Sequence, residues 1–420
     1  MNKSLIYEVD RCFNCVNKPC MNACPLNNDI PSIISLVKES KFEEAYEVLT
    51  KTTVIPAIAS LICPHEKQCK SQCTARFKGE AVDVGSIEHF LGKMAIDENW
   101  KFSSISSVLS GVKVAVIGSG PAGLTASAFL ARNGANVTIF EKKEKLGGIL
   151  RYGIPEFRLN KSLLDTAIDK ILEIENHSII VNCGIEFGKD ITLDELKKKF
   201  DVILLSFGAN VSKSMSIMGE ELIGVFGGNE LLESNLHPDY IDKVVVVSGG
   251  GNVAMDVART VKRLGAKKVV VVYRRSENEM PAEIKEIKEA KDEGVEFLFH
   301  TNLIKIIGDS DVNGVECVKT FYDGERIRDN LKNIDGSNFE FDADFVIMAV
   351  GAGTEKTLVE DLNVELDSKG YIKIDENYKT SDENVFAIGD LSGEKSTVAW
   401  AASSGRKVAE YIINMYKERT

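Results

Sequence analysis

No stretch of 18 or more apolar residues interrupts the 420-residue chain, so no membrane-spanning helix is expected. Basic residues are the scarcer charge, 51 Lys and Arg against 63 Asp and Glu, leaving a formal net charge of −12. That balance argues against nucleic acid and against anionic membrane surfaces as partners. The opening MNKSLIYEVDRCFNC lacks both an apolar core and a small-residue cleavage site, so a secretory leader is not expected and a cytoplasmic location is. The five histidines form no H-E-x-x-H or other zinc spacing, and no nucleophile with its base is evident. Low-complexity tracts and short-period repeats are missing too. At 44% hydrophobic and 27% charged, the chain has the make-up of a globular protein of two or three domains.

Cysteine, by contrast, is concentrated. Seven of nine lie in the first 73 residues, at Cys12, Cys15, Cys20, Cys24, Cys63, Cys69 and Cys73. The first four read C-x2-C-x4-C-x3-C-P, close to the run by which ferredoxin-like modules hold iron–sulfur clusters. Thiolates are soft ligands suited to iron–sulfur or zinc, and without an export signal they read as metal ligands rather than disulfides. Two cubane clusters need about eight ligands. Seven sulfurs leave one position to another side chain, and the segment is expected to conduct electrons. Cys183 and Cys317 stand alone with no C-x-x-C partner, which counts against a dithiol exit.

Residues 1–102 read as helical between the cysteine groups, with apolar residues at helical spacing from Ile30 to Lys51. A serine-rich stretch, 103–110, reads as a linker. From Val112 onward strands and helices alternate, the pattern of a parallel α/β sheet. Two strand–glycine-loop–helix units stand about 130 residues apart, each expected to bind a dinucleotide.

In the first unit, Val114–Ile117 runs into Gly118-Ser119-Gly120-Pro121-Ala122-Gly123, and the next strand ends in Glu141. Glycines there admit a tight turn and a pyrophosphate at the helix N-terminus, while the acid suits ribose hydroxyls. A late strand ends in Gly389-Asp390, the pair by which flavoproteins with two dinucleotide domains bind the ribityl chain of FAD. A helix beginning near Thr397-Val398 could aim its positive end at the flavin pyrimidine. The second unit has Gly249-Gly250-Gly251-Asn252-Val253 and, where the first has Glu141, Arg274-Arg275. Arginine accommodates a 2′-phosphate, so NADPH is preferred over NADH.

These motifs, together with Cys63-Pro64-His65-Glu66-Lys67-Gln68-Cys69, Gly153-Ile154-Pro155-Glu156-Phe157-Arg158-Leu159 and Tyr273-Arg274-Arg275, resemble the small subunit of bacterial NADPH-dependent glutamate synthase. They are equally similar to the N-terminal half of dihydropyrimidine dehydrogenase and to bifurcating NADPH:ferredoxin oxidoreductase subunits. The resemblance covers essentially the whole chain. It implies a helical iron–sulfur domain followed by two Rossmann-like domains, the second inserted in the first. FAD would occupy 111–235 and 344–420, with Phe345–Gly351 as the returning strand, and NADPH 236–343. By the same resemblance Cys12, Cys15, Cys20 and Cys73 hold one [4Fe–4S] cluster, and Cys24, Cys63 and Cys69 a second. Its missing ligand falls on Glu88, with His89 the alternative. Gly148, Ile149 and Arg158 would lie along FAD; Gly251, Asn252 and Val253 would meet the NADPH pyrophosphate.

Hydride would pass from NADPH to FAD and single electrons through the clusters, chemistry the cofactors carry themselves. No segment of some 200 residues is left for a substrate domain, so a larger catalytic subunit or a ferredoxin-type acceptor is implied. Glutamate synthase is the first expectation. An NADPH:ferredoxin, bifurcating or sulfur-reducing oxidoreductase is the alternative, as is a dihydropyrimidine dehydrogenase. Arg274-Arg275 counts against an NADH-dependent pyrimidine-reducing relative. Intact fingerprints argue against a non-catalytic redox sensor.

Overall fold

The computed structural model describes residues 3–174, 179–327, 330–393 and 395–418, which divide into two compact units. The first comprises residues 1–151, 156–208 and 356–420. Its N-terminal part is helical, but Ile30–Lys38 and Phe42–Leu49 are separate helices, broken where Ser40 takes a φ of 58°. Asp29 caps the first of them, accepting the Ser32 N–H, and Pro31 sits in its opening turn, where its missing N–H costs nothing. Ile33, Val37 and Leu49 then bury against Ile87 and Leu91 of the helix Val84–Asp97.

The serine-rich stretch is fastened rather than free. Buried Arg132 donates to the carbonyls of Ser103 (3.1 Å) and Thr50 (2.8 Å), and the Arg132 and Asn133 carbonyls accept from Ile105 and Leu109 N–H. A buried guanidinium must find acceptors, and here it finds them in the helical part before the expected linker and at the linker's first residue. The helical part therefore belongs to the same compact unit as the first sheet.

That sheet has five strands in the spatial order Val385–Ala387, Val202–Leu205, Lys113–Ile117, Asn136–Glu141, Ile180–Cys183, all parallel. Chain order reverses on either side of Lys113–Ile117, which makes the carboxyl end of that strand the switch point where ligands bind. The helix Pro121–Ala131 is buried all round, with the C-terminal helix Val398–Lys417 against it. A side chain at Gly405 would collide with the Ala122 carbonyl, so the two helices meet at backbone distance.

The second unit comprises 152–155 and 209–355. Its parallel sheet runs Val225–Gly227, Phe345–Met348, Val244–Ser248, Lys268–Val272, Glu296–Leu298. This corrects the expected boundaries at 235 and 344: Phe345–Met348 pairs with Val225–Gly227 and Val244–Ser248, and the chain returns to the first unit at Lys356. An all-apolar strand carries no mark of which parallel sheet it joins. Nor does alternation of strand and helix persist throughout. Thr301–Gly308, Val312–Tyr322, Leu331–Asn333 and Phe339–Asp342 form an antiparallel sheet, its first two strands turning through Asp309-Ser310-Asp311.

The helices Asn252–Arg263 and Ile284–Asp292 are joined by Arg259, which is 3% exposed and pairs with Glu286, Glu289 and Glu293 at 2.5–2.9 Å. Arg259→Ala would strand the buried Glu286 carboxylate and is expected to cost about 3–5 kcal/mol, read as a lower denaturant midpoint.

Candidate cofactor and iron–sulfur sites

At the switch point of the first sheet, Gly118 (φ 97°) turns the strand into the helix Pro121–Ala131 where a Cβ would collide with the Ser206–Phe207 backbone. A Cβ on Gly123 would collide with the Gly118 carbonyl, whereas one on Gly120 meets nothing within 4 Å. The helix N-terminus, which has no side-chain cap, therefore opens onto clear space. Ser119 ties the loop together. Its N–H (3.0 Å) and hydroxyl (2.5 Å) donate to Glu141, and its hydroxyl accepts from Gly147 N–H (3.0 Å). Gly148 then closes on Gly120, its Cβ position 2.8 Å from the Gly120 α-carbon. Ile149 and Arg158 are half-buried. An open helix terminus with a buried carboxylate beside it suits a dinucleotide.

Gly389-Asp390 begins the turn after the edge strand Val385–Ala387, and Gly389 N–H donates to Ser404 on the C-terminal helix (2.9 Å). Burial pushes the Asp390 carboxyl up to about 6. Thr397 caps the C-terminal helix, accepting Trp400 N–H (3.3 Å). A partly buried carboxylate with no ion pair among the described residues fits a ligand hydroxyl as its partner. Because the folded pKa is raised, this group's contribution to stability is complete below about pH 4 and is lost as pH rises through about 6, a loss of about 3 kcal/mol. Asp390→Asn should thus raise the midpoint of the flavin-free protein at pH 7, seen by thermal melting, while weakening FAD binding at least about tenfold.

In the second sheet the loop after Val244–Ser248 repeats the arrangement. Cβ atoms on Gly249 and Gly250 would collide with the Ala349 carbonyl and the Tyr273 ring, while Gly251 faces open space as the uncapped start of the helix Asn252–Arg263. Asn252 accepts Glu283 N–H through its side chain (3.0 Å), and Val253 lies half-buried behind it. Arg274 is exposed; Arg275 lies over the Tyr273 ring at 5.5 Å, its Nε buried and without a hydrogen-bond partner among the described residues.

Among the cysteines, Cys12, Cys15, Cys20 and Cys73 line one cavity walled by Ile30, Ile34, Val82 and Val84. Val82 N–H donates to Cys73 Sγ (3.4 Å), and the Thr74 hydroxyl lies 2.9 Å from Cys15 Sγ. Cys24, Cys69 and Glu88 neighbour one another. Burial, then the Glu88 charge, pushes the Cys24 thiol up to about 11 and raises Cys69 as well. Thiols so buried ionise only beside a cationic partner such as iron. Glu88 is 6% exposed, pushed up to about 7 by burial, and receives one hydrogen bond, from Asn28 Nδ2 (2.7 Å). His89 points instead to Ala57 O and Ser60 Oγ, 3.3 Å each. A buried carboxylate with spare lone pairs beside two cysteines fits the ligand missing from the sulfur count. Among the described residues no three His, Cys, Asp or Glu side chains gather as they would around a single metal ion. Cys63 ends the helix Pro56–Ile62 and shares a buried apolar cluster with Ala59 and with Ala399, in the first turn of the C-terminal helix.

Sequence reasoning missed Asn28, which also accepts from Thr52 (2.6 Å), and Ser404. It gave His65 no role, yet His65 Nδ1 lies 3.6 Å from Cys69 Sγ. Lone polar residues far away in sequence give no local signal. Cys183 is half-buried and Cys317 fully buried, each without a cysteine neighbour in the chain.

Comparison with known proteins defines the class. Residues 112–405 match the pyridine nucleotide-disulphide oxidoreductase model, and 1–100 match dihydropyrimidine dehydrogenase domain II, 4Fe-4S cluster. The glutamate synthase [NADPH] small chains of Halomonas elongata and Escherichia coli are 33% and 34% identical, each over 97% of this chain and 90% of the relative. The β subunit of a Moorella thermoacetica NADP(+)-dependent formate dehydrogenase is 31% identical over 96% of this chain and 61% of its own length. In fold, Mycobacterium tuberculosis FprA in complex with NADPH has a TM-score of 0.63 at 18% identity, covering 73% of this chain and 85% of that one. The chain belongs to the pyridine nucleotide-disulphide oxidoreductases and, among them, to the family of NADPH glutamate synthase small chains and related iron–sulfur oxidoreductases. It is an enzyme, an oxidoreductase, and among the described residues no helix is long and apolar enough to cross a membrane.

Proposed function

We propose that the chain takes electrons from NADPH and delivers them, through FAD and two [4Fe–4S] clusters, to a partner subunit, most directly that of a glutamate synthase. When bound, the flavin turns a two-electron hydride donor into a source of single electrons, and the clusters carry these onward. The observation that carries the reading is the shared burial of Cys63 with Ala399. It sets the cysteine region against the helix turn expected to face the flavin, in one compact unit.

Each side chain then has a task. Gly118 to Gly123 and Glu141 hold the FAD pyrophosphate and ribose, Asp390 the ribityl chain, and the Thr397–Val398 helix start faces the pyrimidine. Gly249, Gly251, Asn252 and Val253 seat the NADPH pyrophosphate, and Arg274 with Arg275 its 2′-phosphate. Cys24, Cys63, Cys69 and Glu88 hold the cluster on the flavin side. Cys12, Cys15, Cys20 and Cys73 hold the outlet cluster, where Val16, Phe77 and Phe13 are 96%, 77% and 50% exposed and suit a docking partner.

Purification of the tagged chain from its host under anaerobic conditions tests the partner. A large glutaminase-bearing chain that accepts electrons from it supports glutamate synthase. A small ferredoxin-reductase-like chain overturns that choice in favour of a bifurcating oxidoreductase; relatives that are not glutamate synthase chains, such as the formate dehydrogenase β subunit, leave room for a different partner.

A further inference from the structure

We infer that Glu279 is a positioning residue for the nucleotide 2′-phosphate: it holds Arg275 and the turn around it, and thereby sets the preference for NADPH over NADH. The inference rests on the proposed reading of Arg274–Arg275 as the 2′-phosphate site.

A carboxylate close to a phosphate site is unfavourable unless it serves a cation. The polar atoms of Glu279 fasten the turn that follows the arginines and tie it to Tyr273 and Tyr322. Its carboxylate accepts from Ser276 Oγ (2.5 Å), from Ser276 N–H (3.1 Å) and, at the other oxygen, from the Tyr322 hydroxyl. Its backbone carbonyl accepts from the Tyr273 hydroxyl (2.8 Å). Ser276 and Glu279 thus form a capping box directly after Arg275. The Tyr273 ring closes the loop from below and carries the Arg275 guanidinium on its face, 5.5 Å from the centroid. That ring fits only because Gly250 of the glycine loop has no side chain to meet it. One aromatic ring therefore links the pyrophosphate loop to the arginine turn.

The backbone is fixed as well: Thr320 Oγ1 donates to the Arg274 carbonyl (2.6 Å) and His300 N–H to that of Arg275 (3.1 Å). Tyr322 and Thr320 both come from Val312–Tyr322, the long strand of the antiparallel sheet. That sheet thereby has a task at the nucleotide site which its fold alone does not reveal. Arg275 keeps its Nε buried and, among the described residues, without a hydrogen-bond partner. Burial works against the Glu279 charge, but the Ser276 and Tyr322 hydrogen bonds and the nearby Arg275 pull its carboxyl down to about 2, so it stays ionised.

Adenosine 2′,5′-bisphosphate and 5′-AMP, titrated calorimetrically into the full-length protein, differ only in the 2′-phosphate. Glu279→Ala is expected to weaken the bisphosphate about tenfold while 5′-AMP binds as before. Tyr322→Phe should do the same to a smaller extent, and Glu279→Gln, which keeps an acceptor oxygen, should recover part of the loss. Equal weakening of both ligands, or tighter binding of the bisphosphate, would overturn the inference. A parallel Arg274→Gln/Arg275→Gln protein separates the layers. If it loses the discrimination and Glu279→Ala does not, the inference alone falls. If it keeps the discrimination, the 2′-phosphate reading falls too.

Discussion

Replacing Cys63 by serine is expected to leave NADPH able to reduce the bound flavin while electrons no longer reach the partner. Cys63 closes the helix Pro56–Ile62 and is buried against Ala399, in the first turn of the helix proposed to face the flavin. Serine keeps the shape but gives iron a hard, weakly acidic hydroxyl in place of a soft thiolate. Iron content should fall by about half, from about eight to about four per chain. Partner reduction should fall about a hundredfold or more, since even the outer-shell partners of metal ligands are worth roughly 10–100-fold. Stopped-flow absorbance separates the two steps: flavin bleaching persists and cluster bleaching slows. Should Cys63→Ser retain full iron and full transfer, Cys63 is a buried thiol and no more.

The second large effect lies in the other unit. Arg274→Gln together with Arg275→Gln should lower kcat/KM for NADPH by roughly 30- to 1000-fold, from about 2–4 kcal/mol of lost charge-assisted contacts after allowing for exposure. Activity with NADH should change less than about threefold, because its free 2′-hydroxyl asks nothing of a guanidinium. Initial rates with ferricyanide as acceptor give both constants. Parallel losses with the two nucleotides would mean that the arginines hold the fold and do not choose the nucleotide.

What the sequence disclosed followed from how local the physics is. Gly118-Ser119-Gly120 and Gly249-Gly250-Gly251 each put a strand end, a turn and a helix start within a dozen residues. The need for clear space at Gly120 and Gly251 is therefore written where it acts. The cysteine spacing is local in the same way, and Cys12, Cys15 and Cys20 do reach one cavity together with distant Cys73. Non-local choices were not legible. Nothing in Phe345–Met348 says which parallel sheet it will join, since either would bury it on both faces. Helical spacing ran on past the break at Ser40, because an apolar face can be shared by two helices that fold back on one core. Glu88 was legible as a candidate against His89. Its burial, and the Asn28 hydrogen bond that holds it beside Cys24 and Cys69, depend on residues 60 positions apart.

On the proposed reading one chain holds the whole path from NADPH to the cluster outlet. Anaerobic purification followed by iron, sulfide and flavin analysis, then titration with NADPH in the spectrophotometer, tests it most directly. About eight irons with matching sulfide, one FAD per chain, and bleaching of both flavin and cluster absorbance by NADPH are expected. Zinc without sulfide, or a flavin that NADPH leaves oxidised, would contradict it.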